Sequence, residues 1–140
     1  MTLSIFTDEI NRHSPERAVS LAKTWVLTHV EVRSLSQGRF PRVSDQEFED
    51  FRLLIADAGL FVSGVSPGFF KCPPEDPSIS KGLSEALPRA CEWAQRLGIN
   101  QVSSFAFRRD DTETPPAVVI DLVGKMTEIV RRQGCLLILE

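Results

Sequence analysis

Strands and helices alternate along this chain, and that order predicts an α/β fold: a partial (β/α)8 TIM barrel of about five parallel strands and four helices. Three observations carry the expectation. Short apolar runs rich in β-branched residues are separated by longer stretches of helical periodicity. Three junctions share one signature, a helical pattern ending in Gly and followed at once by a strand: Ala58-Gly59-Leu60-Phe61-Val62, Leu97-Gly98-Ile99-Asn100-Gln101-Val102 and Gln133-Gly134-Cys135-Leu136-Leu137. These glycines recur roughly every 40 residues, the size of a βα unit with its loops. Finally, His29-Val30-Glu31-Val32-Arg33 places valines on one face and polar residues on the other. Central strands of an open sheet are apolar on both faces, so a charged face fits the interior of a barrel. An open doubly wound α/β sheet is the alternative, although a fifth helix normally covers its last strand.

Taken in order, the first strand is predicted near 3–9. Ser14-Pro15-Glu16 then reads as an N-cap with Pro in the first helical turn, and Ala18, Leu21, Ala22 and Trp25 form the apolar stripe. The junction that follows, Trp25-Val26-Leu27-Thr28, has no Gly. The second strand is predicted near 29–34. Ser44-Asp45-Gln46-Glu47 is a capping box, followed by Phe48, Phe51, Leu54, Ile55 and Ala58 at helical spacing. The third strand falls near 61–66. The third helix carries Leu83, Leu87, Ala90, Cys91, Ala94 and Leu97 with Pro88 inside it, which predicts a kink or two short helices. The fourth strand is expected near 101–107. The last helix starts near Thr114-Pro115-Pro116, and the fifth strand lies near 135–140.

Bulk properties bound the function. The chain has 140 residues, 42% hydrophobic and 25% charged, with a net charge of −3 and a pI near 5.4. That is one globular domain, and overall it is neither a nucleic-acid binder nor an anionic-membrane binder. Cys72, Cys91 and Cys135 are odd in number and lack a C-x-x-C, which predicts a reducing, cytoplasmic setting. No apolar run approaches the ~20 residues of a membrane span.

Three segments resemble the sugar phosphate isomerase/epimerase family, the xylose isomerase-like TIM barrels: Ser4-Ile5-Phe6-Thr7-Asp8-Glu9-Ile10, Thr28-His29-Val30-Glu31-Val32-Arg33 and Gly134-Cys135-Leu136-Leu137-Ile138-Leu139-Glu140. The resemblance covers the chain unit by unit and implies that residues 1–140 are a single domain, the N-terminal half of such a barrel. It further implies a divalent metal (Mn²⁺, Mg²⁺, Zn²⁺ or Co²⁺) at the C-terminal mouth. The Glu that closes strand five is a metal ligand and catalytic group in that family, and Glu140 matches it. The family's remaining ligands and second catalytic carboxylate would lie beyond residue 140. The implied activity is isomerisation or epimerisation of a sugar or sugar phosphate by proton transfer next to a carbonyl, with a metal stabilising the enediolate oxygen. The 140-residue chain alone is expected to be inactive and to bind no metal tightly.

Each candidate residue has a plainer reading beside the functional one. Glu140 is either a frayed terminus or a ligand at the barrel mouth. Glu31 and Arg33 are either a structural ion pair or, through Arg33, a substrate contact. Asp8 and Glu9 close the first predicted strand, where alternation lets only one point inward to a sugar hydroxyl. In the loop Ser66-Pro67-Gly68-Phe69-Phe70-Lys71, Phe69 or Phe70 would wall a substrate or pack over the rim. In Arg108-Arg109-Asp110-Asp111 the arginines suit an anion and the aspartates cap the next helix. His13 and His29 receive no ligand role.

Two other functions compete. One is a non-catalytic half-barrel that associates with itself or another chain, because open strand edges and an uncovered apolar face invite pairing. The other is an endonuclease-like barrel acting on abasic DNA, disfavoured by the acidic pI and by the lack of His in the loops after the third and fourth strands. The expected partner is a small sugar or sugar phosphate, with no nucleic acid and no membrane, in a homo-oligomer.

Overall fold

Parallel pairing between strands distant in sequence organises the chain in the computed structural model, which describes residues 2–108 and 116–140. The elements run α1 (Thr7–Ile10), α2 (Pro15–Thr24), β1 (His29–Val32), β2 (Ser34–Leu35), β3 (Gly38–Arg39), α3 (Asp45–Asp57), β4 (Phe61–Val65), α4 (Ser78–Lys81), a π-helical stretch (Gly82–Ala86), α5 (Leu87–Arg96), β5 (Gln101–Ser104), α6 (Ala117–Arg132) and β6 (Leu136–Leu139). β1 pairs with β4 and β5 with β6, both parallel, as strands joined through helical crossovers must. β4 and β5 are neighbours without a backbone ladder. The Gln101 side chain bridges them, its Nε2 donating to the Ser63 carbonyl at 2.9 Å. Among the described residues no helix is long and apolar enough to cross a membrane.

The period-2 reading of β1 holds. Val30 and Val32 are fully buried in a core shared with Ala22, Phe48, Phe51 and Ile55. Glu31 occupies the opposite face, where its carboxyl group lies over Gly64 of β4. On the helix side Phe48 stacks on Trp93 at 4.0 Å, and Phe40 meets Trp93 edge-on at 5.7 Å, fixing α3 against α5.

Four expectations need correction. The first strand, predicted over 3–9, is reduced to one bridge from Phe6 to Glu31, with the Glu31 amide donating to the Ile5 carbonyl at 2.8 Å. Only Leu3 to Phe6 is apolar enough for a ladder, and Asp8 and Glu9 suit the first turn of a helix, which is where α1 places them. The fourth predicted strand, 101–107, stops at Ser104, because Phe105 donates to the Phe69 carbonyl instead of continuing the ladder. The second strand, predicted near 29–34, ends at Val32, and Ser34 instead opens a short antiparallel hairpin, β2–β3, that the sequence pattern does not predict. The capping box forms by half: Ser44 Oγ accepts from the Glu47 amide at 3.1 Å, but the Glu47 carboxylate turns away from Ser44. It accepts instead from Ser36 Oγ (2.7 Å) and the Gln37 amide (2.8 Å), which ties down the hairpin turn.

The problem of Pro88 is solved by widening the helix. Pro88 falls in the first turn of α5, and the turn before it is π-helical, with the Leu87 amide reaching back to the Gly82 carbonyl. The wider turn leaves room for a ring that has no N–H to donate. Gly82 also lets this turn pack closely on the rim, since a Cβ there would lie 2.9 Å from the Phe70 ring.

Candidate active site at the strand ends

Side chains collect where β1, β4, β5 and β6 end, the end at which parallel α/β barrels place their chemistry. Glu140 directly follows β6. Its amide donates to the Ser104 carbonyl at 3.0 Å, which carries the β5–β6 pairing one residue past the strand. Its Oε1 accepts from Ser66 Oγ at 3.0 Å and from Ser103 Oγ at 2.5 Å. Two hydroxyls, one after β4 and one on β5, therefore fix a single carboxylate oxygen, and among the described residues no protein donor reaches Oε2.

Arg33 follows β1 and pairs with α1, not with Glu31. Its Nε donates to Asp8 Oδ2 at 2.9 Å and its Nη2 to Glu9 Oε1 at 2.5 Å. The Glu31–Arg33 ion pair, one of the two readings of these residues, is not formed, because Glu31 turns over Gly64 while both acidic neighbours come from the other edge of β1. Asp8 and Glu9 reach the same guanidinium because they sit on a helical turn, where strand alternation does not apply. The bond that Arg33 donates to Glu9 is the main reason the Arg33 pKa is raised above its ordinary value, with Asp8 adding to it against the opposing effect of burial. Arg33 also lies 4.9 Å over the Phe6 ring. The other Asp8 oxygen, Oδ1, and the Thr7 hydroxyl are buried without a partner among the described residues.

Phe69 presents no ring to the mouth. It is buried, with the Arg42 guanidinium 5.3 Å over it and Phe70 packed at 5.8 Å. Phe70 is buried too, against Phe107 at 5.4 Å, so both rings brace the rim. Arg108 is exposed, and its amide donates to the Cys72 carbonyl at 2.8 Å, which places it on the rim beside the loop after β4. Arg109, Asp110 and Asp111 lie outside the described residues. His29 sits at the opposite end of β1, its Nδ1 2.8 Å from Thr28 Oγ1, and His13 is exposed before α2.

Three participants were not singled out from sequence. Ser66 and Ser103 carried one readable signal, a hydroxyl near the C-terminal end of a strand. Arg39 carried none, since the hairpin that delivers it was unpredicted. Its Nε donates to the Pro67 carbonyl at 3.0 Å and its Nη2 to the Ser66 carbonyl at 3.4 Å. Ser66 thus holds Arg39 through its carbonyl and Glu140 through its hydroxyl. Glu140 is a hard oxygen donor of the kind Mg²⁺ and Mn²⁺ accept, but among the described residues no three His, Cys, Asp or Glu side chains come together to hold an ion. These residues do not make a metal site by themselves.

Comparison with solved structures decides the fold. The chain superposes over 99% of its length on a xylose isomerase-like TIM barrel protein from Mycobacterium smegmatis in complex with magnesium, with a TM-score of 0.70 at 17% identity, covering 54% of that chain. It folds as half of a xylose isomerase-like TIM barrel. A sugar phosphate isomerase/epimerase from Parabacteroides distasonis gives a TM-score of 0.69 at 16% identity, with 99% of this half-barrel matched to 50% of that chain. D-psicose 3-epimerase with D-tagatose, from Clostridium cellulolyticum, gives 0.69 at 13% identity, with 98% matched to 51%. The half-barrel therefore spans about half the length of the solved structures it matches. No family model and no curated protein matches it by sequence.

Proposed function

We propose that this half-barrel, the N-terminal half, contributes one side of the active-site mouth of an isomerase or epimerase acting on a sugar or sugar phosphate. The observation that carries the reading is Glu140, a carboxylate held by two serine hydroxyls at the catalytic end of the barrel. Epimerase names among barrels of this fold add support. Moving a stereocentre or a carbonyl along a sugar requires removing a proton from the carbon next to the carbonyl, and a positioned carboxylate is the group that takes it. Ser66 and Ser103 fix Oε1, so Oε2 is the oxygen left to meet the substrate. Glu31 and the Arg33–Asp8–Glu9 cluster supply hydroxyl-binding groups on the same side, and Arg108 is a further contact from the rim. Phe69 is left out of the substrate wall because its ring is buried.

Glu140 is also the one metal ligand this half would supply, to Mn²⁺, Mg²⁺, Zn²⁺ or Co²⁺, with the other ligands coming from chain beyond it. Turnover by the full-length protein of a panel of ketohexoses and ketose phosphates, with Mn²⁺ present, tests the proposal. Conversion of at least one is expected, and failure with every member would overturn it.

A second reading has its own observation. Leu136, Ile138 and Leu139 of β6 are 59%, 44% and 48% exposed, and no strand pairs with the outer edge of β6 among the described residues. The 140-residue chain on its own would cover that surface by self-association.

A further inference from the structure

Among the described residues Arg39 is the half-buried arginine at the mouth that bonds to no carboxylate. Arg33 has Asp8 and Glu9, and away from the mouth Arg52, Arg89 and Arg96 each have a carboxylate. Among the described residues Arg39 pairs with none. Its two bonds go to the neutral carbonyls of Ser66 and Pro67. It is nevertheless held firmly in place. Gly68 lies flat against the guanidinium, and a Cβ there would fall 2.6 Å from Nη2 and 2.7 Å from Cζ. Gly68 has φ +66°, so the loop is shaped around the guanidinium by a residue without a side chain. Burial, and then the nearby positive charge of Arg33, push the Arg39 pKa below its ordinary value, although the Asp8 and Glu140 carboxylates, neither bonded to it, act in the opposite sense.

A guanidinium fixed in this way is half-desolvated, like-charged with its neighbour and still has N–H donors to spare. It is arranged for a planar or tetrahedral anion. Sugar hydroxyls hydrogen-bond but bring no compensating charge. We infer that Arg39 is the anion-recognising residue of the mouth, and that the ligand is a sugar carrying a phosphate or a carboxylate. This rests on the reading of the mouth as a sugar site and narrows it. Ser66 joins the two functions, with Arg39 on its carbonyl for the anionic end of the ligand and Glu140 on its hydroxyl for the reacting end.

Calorimetric titration of the full-length protein with inorganic phosphate, D-ribulose 5-phosphate, D-ribonate and D-ribulose tests this. The ketose phosphate or the aldonate is expected to bind at least about tenfold more tightly than D-ribulose, and the tighter of the two identifies the anion. Arg39→Gln should lose that advantage. Gly68→Ala, which displaces the guanidinium without removing it, should lose it too. Arg42→Gln, which removes an exposed neighbouring charge, should stay within about twofold of wild type. A thermal melt confirms that each variant is folded. If a folded Arg39→Gln protein keeps wild-type preference for the anionic ligand, or if D-ribulose binds as well as both its phosphate and D-ribonate, the inference is wrong while the sugar reading stands. If inorganic phosphate binds through Arg39 and no sugar binds, the anion site stands and the sugar reading falls. If nothing binds, both fall.

Discussion

Val26 sits where the other helix ends have glycine. Its φ is 59°, beside 68°, 82° and 74° for Gly59, Gly98 and Gly134. The hydrogen bonds match as well. The Val26 amide reaches the Lys23 carbonyl and the Leu27 amide the Ala22 carbonyl, and the same pair of bonds closes the helices at Gly59, Gly98 and Gly134. All four are the same left-handed helix stop, but a β-branched residue in that conformation is strained by about 1–2 kcal/mol. Val26 is 85% exposed, so no packing offsets the strain. Phe70 and Phe107 also have positive φ, but their buried rings are held by the rim. Val26→Gly should therefore stabilise the protein by about 1 kcal/mol, after the added entropy of the unfolded chain is subtracted. Thermal denaturation should show a Tm about 3 °C higher, and an unchanged or lower Tm would contradict the strain. The sequence made this junction stand out by its missing Gly. It did not reveal that the backbone takes the glycine conformation regardless.

Among the elements, those defined by local rules were legible and those defined by distant contacts were not. Helix starts at Ser14 and Ser44 follow from side-chain caps that the structure contains. The break around Pro88 follows from a missing N–H. The β2–β3 hairpin has only two residues per strand, too short for any periodicity, and it depends on Glu47 from the next helix. Glu47→Ala should then cost about 1.5–3 kcal/mol, the loss of hydrogen bonds to a charged acceptor. It should also loosen the segment that delivers Arg39. Chemical denaturation reads the first effect, and faster amide exchange at Gln37 and Gly38 reads the second. A variant as stable as wild type would show that the hairpin holds itself. The mouth was half legible for a related reason. Glu140 ends an apolar run and declares itself, whereas Ser66, Ser103 and Arg39 acquire meaning only when three loops meet.

Across the whole molecule, the helix-facing side is a finished core and the other side is not. Val30, Val32, Val102, Phe48 and Trp93 are closed off from solvent, while the face bearing Leu136 and Ile138 lies open in a chain that spans half of the barrels it matches. Exposed apolar strand surface with a free edge associates. Light scattering of the 140-residue chain at micromolar concentration should report a dimer or larger, and Leu136→Lys with Ile138→Lys should shift it toward monomer. A clean wild-type monomer would count against this.

The same open face ends in Glu140, on which the functional account depends. Its most direct test is the transfer of solvent deuterium into the carbon next to the carbonyl of a turned-over ketose, followed by proton NMR in D₂O with the full-length protein. Glu140→Gln keeps an oxygen for Ser66 and Ser103 to donate to, so the mouth should hold its shape while losing its proton acceptor. Exchange by the wild type is expected, with a fall of about 10²–10⁴-fold in Glu140→Gln at an unchanged Tm. Exchange by Glu140→Gln at the wild-type rate would contradict it.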